Sequence, residues 1–147
     1  FGKFDFKKIH PAGNLGAQLK TVEDLMLVKE KIPLVNDNIK MSRALTILNK
    51  KKLGTLIVQN KNKKTVGIIT DGQIRRFKKE NYELHSMYVK NIMTKNPISI
   101  EKNALAAKAL AIMNAKKITS LCVHDGKKRF KTIGILHIHN ILQSNIS

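Results

Sequence analysis

The chain repeats itself, and the repeat constrains its fold more than any other feature. Val22-Glu23-Asp24-Leu25-Met26 returns as Val89-Lys90-Asn91-Ile92-Met93, an offset of 67 residues. Pro33-Leu34-Val35 returns as Pro97-Ile98-Ser99 at an offset of 64. Ala44-Leu45 matches Ala109-Leu110, and Leu53-Gly54-Thr55-Leu56-Ile57-Val58 matches Ile118-Thr119-Ser120-Leu121-Cys122-Val123, both at 65. Gly67 matches Gly134 at 67 again. Blocks that recur in one order, with small drifts for insertions, mark an internal duplication. Each copy is only about 60 residues, too small to bury a generous core alone. The two copies are therefore expected to pack against each other as a pseudo-twofold pair.

Each copy carries the same coarse layout, β-α-β-β-α, which puts the chain in the α/β (α+β) class. A short extended stretch follows the proline. Then Met41, Ala44, Leu45 and Leu48 stand at helical spacing behind Asn38, and Ala106, Ala109, Leu110 and Met113 behind Asn103. Both asparagines are natural N-caps. Strands are predicted over Thr55–Gln59 and Ser120–His124, then, past Lys-rich or Asp-Gly turns, over Val66–Ile69 and Ile133–Leu136. A closing helix ends each copy. The stretch Val66-Gly67-Ile68-Ile69-Thr70-Asp71-Gly72 is thus a strand that turns sharply into a helix, and Ile133 to Leu142 repeats it. Such a turn aims backbone N–H groups and a polar side chain at one spot, a geometry suited to a phosphate or a sugar hydroxyl.

Composition narrows the function classes. No apolar run approaches the length of a membrane span. The single cysteine, Cys122, excludes an internal disulfide and lies in an apolar strand, where a buried structural thiol is expected. The net charge of +18 comes almost wholly from lysine, 24 of the 28 cations, in scattered groups such as Lys50-Lys51-Lys52, Lys61/Lys63/Lys64 and Lys127-Lys128. Nucleic-acid readers lean on arginine and exposed aromatics, and aromatics here are 5%. A solvated basic surface that attracts small anions is the expectation, not a polynucleotide site.

The pattern of Met, then Pro-x-x, an amphipathic helix, and Gly-h-h-Thr before a last helix resembles the CBS domain, and two in tandem resemble a CBS pair, or Bateman module. Further stretches sharpen this: Phe6-x-x-x-His10-Pro11-x-Gly13-x-Leu15-Gly16, Thr21 to Met26, Ile69-Thr70-Asp71-Gly72-x-Ile74-Arg75-Arg76, Ile118-Thr119-Ser120 and Leu136-His137-x-His139. Together they are similar to the C-terminal part of the arabinose 5-phosphate isomerase family, in which a sugar isomerase (SIS) domain precedes a CBS pair. The resemblance implies a division into residues 1–20, the tail of an upstream SIS domain and linker, then CBS domains at 21–82 and 83–147. It implies that His10 is the active-site histidine of the intact isomerase, an acid/base for enediol chemistry, and that this stretch alone has no turnover. Ala12 stands where the family usually has glycine. The resemblance further implies a cytoplasmic protein, contact with its own SIS domain, and a homo-oligomer in which CBS pairs dimerise within a tetramer. No cofactor is required.

The same resemblance places ligands in the cleft between repeats. The candidate residues are Thr70 and His137 at the strand ends, Gln73 and Asn140 three positions on, with Thr55, Asp71, Arg75, Arg76, Thr119, Ser120 and His139. Many nucleotide-binding CBS domains carry aspartate where this chain has Gln73 and Asn140. A carboxylate accepts both hydroxyls of a ribose, whereas an amide accepts fewer and carries no charge. Adenine nucleotides are disfavoured on that ground, and a sugar nucleotide such as CMP-Kdo is the candidate regulator. A ligand-free structural module, or a CBS pair of another sugar-phosphate isomerase, are the alternatives, with a nucleic-acid-binding module ranked behind them. His137 and His139 lack a neighbouring carboxylate or thiolate, so no metal site is expected.

Overall fold

The computed structural model describes residues 19–80 and 83–144. His10 and the rest of the upstream tail lie outside the described residues. Along the chain run α1 (Val22–Leu25), β1 (Leu34–Asn36), α2 (Met41–Lys51), β2 (Thr55–Gln59), β3 (Thr65–Thr70), α3 (Asp71–Lys79), α4 (Val89–Ile92), β4 (Thr94–Lys95), β5 (Ser99–Glu101), α5 (Ala106–Lys116), β6 (Ser120–His124), β7 (Gly134–His137) and α6 (Ile138–Leu142). The expected β-α-β-β-α order recurs in both copies. β2 and β6 span the expected residues, while β3 extends one residue further at each end and β7 is shifted one residue toward the C-terminus.

One sheet has the order β1-β2-β3-β4 and the other β5-β6-β7. In each, the strand after the proline runs parallel to the next, Leu34 opposite Ile57 and Ser99 opposite Cys122, and the hairpin that follows is antiparallel. β2 and β6 are continuous apolar runs because both of their faces are covered. Leu56 and Val58 enter the first core, Leu121 and Val123 the second. The alternate residues Ile57 and Cys122 face the other way and meet with Ile32 and Ile135 in a third cluster that joins the halves. Full burial of such apolar side chains stabilises the pair by roughly 1.5–3 kcal/mol each.

The repeats exchange their opening segments. Val22 of α1 is buried in the core of the second half, among Ala106, Ala109, Leu121 and Ile141. Val89 and Ile92 of α4 are buried in the core of the first half, with Met41, Leu48 and Ile69. β4 pairs with β3, placing Lys95 opposite Gly67. Leu27 makes the equivalent bridge to Ile135 of β7. Lys102 ties the exchange down on the outside, reaching Glu23 at 3.5 Å and Asp125 at 3.6 Å.

The exchange also decides how α2 and α5 are capped. Neither Asn38 nor Asn103 caps a helix. The capping positions are Lys40 and Leu105, and neither side chain bonds to its helix. Instead the first N–H of α2, on Met41, donates to the Met87 carbonyl at 2.8 Å, and that of α5, on Ala106, donates to the Lys20 carbonyl at 2.9 Å. Lys20 and Met87 precede the exchanged helices, so backbone from the other repeat satisfies the orphan donors.

Candidate functional site

The first strand–helix junction lies at the end of β3. Thr70 is exposed and caps α3, its hydroxyl accepting from the Gln73 N–H at 3.3 Å. The Asp71 N–H donates to the Gly54 carbonyl at 3.0 Å, which fastens the junction to the turn before β2. Gly54 adopts φ +70°, and a Cβ there would lie 2.9 Å from Asp71 Oδ2, so this turn admits only glycine without strain. Thr55 is buried opposite Thr70, with its hydroxyl donating to the Ile69 carbonyl at 3.3 Å. Asp71, Arg75 and Arg76 are exposed on the first turns of α3.

Gln73 departs from its expected role. It is buried, and its side-chain amide donates to the Ile92 carbonyl of exchanged helix α4. Helical periodicity turns this position inward, toward the core against which α3 packs, and there its amide fixes α4 rather than facing a cleft.

The second junction follows the same plan with different chemistry. His137 caps α6: its Nδ1 accepts from the His139 N–H at 3.1 Å, while its own backbone N–H donates to Asn140 Oδ1 at 2.9 Å. Asn140 thereby closes a reciprocal cap. The His137 and His139 rings stack with centroids 4.7 Å apart. Burial holds the His137 pKa below the usual histidine value, and the neighbouring His139 pushes the same way. The Ile138 N–H donates to the Thr119 carbonyl at 2.8 Å, the counterpart of the Asp71–Gly54 bond. Ser120 lies opposite His137, and its buried hydroxyl has no hydrogen-bond partner among the described residues. Thr119 and His139 are exposed. Thr70 with Asp71 and Thr55, and His137 with Asn140, Thr119 and Ser120, are thus the expected residues that come together at each junction.

A third locus is formed by residues outside the expected site. The β2–β3 and β6–β7 turns meet, the Thr65 N–H donating to the Phe130 carbonyl at 2.7 Å and the Thr65 and Thr132 hydroxyls lying 2.6 Å apart. A groove of about 440 Å³ opens there among lysines of both turns, Arg129 and Phe130. A smaller cavity of about 200 Å³ adjoins it, bounded by Asn96, Pro97, Ser99 and Cys122 and sharing Arg129 and Phe130. The available signal was a phenylalanine inside the run Lys127-Lys128-Arg129-Phe130-Lys131.

The exchanged, doubled architecture and its paired junctions match a known family model, the CBS domain, over residues 22–80 and 89–146. The chain belongs to the CBS domain family. As a CBS pair it is 38% identical over 147 residues to the uncharacterized protein RP505 of Rickettsia prowazekii (strain Madrid E), covering 100% of this chain and 44% of that protein. It is 31% identical over 147 residues to the arabinose 5-phosphate isomerase KdsD of Yersinia pestis, covering 99% of this chain and 44% of the enzyme. With KdsD of Escherichia coli (strain K12) the identity is 32% over 143 residues, covering 97% of this chain and 43% of the enzyme. The CBS pair therefore spans less than half the length of these relatives. Among solved structures, CBSX2 in complex with AMP superimposes with a TM-score of 0.74 at 26% identity, over 85% of this chain and 95% of that one. The CBS pair of MJ0100, in complex with 5′-methylthioadenosine and S-adenosyl-L-methionine, shares the fold with a TM-score of 0.72 at 23% identity, over 85% of this chain and 94% of that one.

Proposed function

We propose that this CBS pair is the regulatory and assembly module of an arabinose 5-phosphate isomerase, joined to a sugar isomerase domain that interconverts ribulose 5-phosphate and arabinose 5-phosphate on the route to Kdo and lipopolysaccharide. Support comes from the KdsD relatives, which align along nearly the whole of this chain. His10, outside the described residues, would be the histidine that the upstream domain uses for proton transfer. The module would act by linkage, a ligand favouring one packing of the tetramer over another.

The observation that carries a ligand-binding role is the buried, unpartnered Ser120 hydroxyl beside the His137 junction. A buried hydroxyl without a partner costs free energy that a ligand atom would recover. The AMP bound by CBSX2 makes adenine nucleotides one arm of the test, and the pathway makes CMP-Kdo the other. A thermal-shift titration of the chain with AMP, ATP and CMP-Kdo decides between them. A ligand at a hundred times its Kd stabilises the native state by about 2.7 kcal/mol, enough to raise Tm by several degrees. Ser120→Ala should halve or abolish the shift. No shift with any nucleotide at millimolar concentration would remove the sensing role.

A second reading has its own observation. The Gln73 amide is bonded to Ile92 and the Asn140 oxygen to His137, so both residues expected to meet a ribose serve the fold instead. On that reading the module only assembles the tetramer, and deleting it dissociates the enzyme while nucleotides change nothing.

A further inference from the structure

The regulatory reading leaves the joined hairpin tips without a role. Lys63 and Lys64 from one turn and Lys127, Lys128, Arg129 and Lys131 from the other line one groove. Among the described residues every ion pair uses Lys102, so none of these six cations is paired to a carboxylate. Asp125, the acid of the second turn, is the one that Lys102 holds. The turns cannot spread apart to relieve their repulsion, because the Thr65–Phe130 and Thr65–Thr132 bonds join them. Like charge concentrated on a rigid surface raises the local potential and draws anions.

The groove is not uniformly ionic. Phe130 lines it too, 51% exposed, with Lys64 Nζ 4.7 Å from the ring centre. The exposed part of the ring offers apolar area whose burial under a ligand would be favourable. Beside it opens the smaller cavity, whose walls mix Pro97 and Cys122 with the polar Asn96 and Ser99. A cationic face therefore adjoins a place for an uncharged organic group.

We propose that the hairpin tips form a second anion site, separate from the strand–helix junctions, for a small organic polyphosphate. The phosphates lie over the lysines, and the organic group covers Phe130 and reaches the smaller cavity. The volume of about 440 Å³ suits a single small ligand. One exposed ring in one local groove does not provide the succession of aromatic platforms that a polynucleotide uses.

Calorimetric titration of the chain with inorganic tripolyphosphate, orthophosphate and ATP tests this at physiological salt. Tripolyphosphate and ATP should bind, with orthophosphate weaker by about tenfold or more. The triple variant Lys64→Gln/Lys127→Gln/Arg129→Gln should lose about tenfold in tripolyphosphate affinity, whereas Lys50→Gln/Lys78→Gln/Lys116→Gln, which has the same net charge, should lose less than about twofold. Phe130→Ala should weaken ATP and spare tripolyphosphate. Tripolyphosphate carries no nucleoside, so this arm stands whether or not the junctions bind a nucleotide. Equal losses in the two triple variants would assign the binding to diffuse net charge and overturn the proposal. Absence of binding would overturn it too. Tighter binding of single-stranded RNA with a steep salt slope would replace the small ligand with a polymer.

Discussion

His137 has to stay neutral to cap the last helix, because Nδ1 accepts the His139 N–H at 3.1 Å. Burial, and then the proximity of His139, hold its pKa below the 6.5 of a free histidine. The sign follows from linkage. Where pH falls below 6.5 the unfolded chain takes up the proton while the folded chain still resists it, so stability is full above that pH and is lost as the pH falls toward the lower folded value. His124 adds to the same trend, its pKa lowered by burial and then by Arg129, with Ser99 Oγ 2.5 Å from its Nδ1. Tm should therefore drop between neutral pH and about pH 5. His137→Asn supplies a cap acceptor that does not titrate, so its Tm should depend less steeply on pH, with the His124 share remaining. An unchanged slope would show that His137 does not titrate in this window.

The exchanged segments are the elements on which the fold depends, and two glycines register their contact. A Cβ on Gly134 would lie 2.5 Å from Met26 Sδ and 3.0 Å from the Leu27 carbonyl. A Cβ on Gly67 would lie 2.5 Å from Met93 Sδ, 2.8 Å from its Cγ and 3.0 Å from its Cβ. Met26 and Met93 are equivalent residues of the two repeats, so each glycine receives the methionine of the other repeat. A methionine sulfur can swing aside, but Met93 Cβ, bonded to the backbone, cannot. The Leu27 carbonyl cannot, since Leu27 and Ile135 exchange hydrogen bonds of 2.8 and 3.0 Å. Each glycine thus faces a movable sulfur and one atom that cannot move, and both Gly→Ala variants should destabilise the chain by about 1–3 kcal/mol in urea unfolding. An unchanged urea midpoint in either variant would mean that the exchanged segment yields at that glycine.

At the scale of the whole molecule, the cluster of Ile32, Ile57, Cys122 and Ile135 decides whether the halves stay together. Cys122 reports on it. Burial pushes its thiol up to about 11, against a smaller opposite pull from the Thr132 hydroxyl. At pH 8 only about a thousandth of such thiols are ionised, and the residue, though it borders the smaller cavity, is only 1% exposed. The native chain should react with a disulfide reagent only as fast as it opens, and immediately in urea. Ile57→Ala removes the facing side chain, should cost about 2–5 kcal/mol, and should speed native labelling several-fold. Prompt labelling of the unaltered native chain would contradict a closed interface.

Much of this was legible in local sequence. The duplication, the helical spacing of Met41, Ala44 and Leu48, and the apolar strands Thr55–Gln59 and Ser120–His124 each follow from neighbouring residues and elementary periodicity. So did the two strand–helix turns with Thr70 and His137 at their caps. What tertiary structure alone decided is which distant backbone completes each piece. The caps of α2 and α5 come from Met87 and Lys20, the Gln73 amide turns to Ile92, and lysines from two separate turns converge around Phe130. Carbonyls carry no sequence signature, and charges on different loops sum only once the loops meet. The sequence by itself therefore determined two copies of one motif. The exchange of opening segments between them, which buries Val22, Val89 and Ile92 in cores far along the chain, arose because neither copy has enough apolar surface to close a core alone.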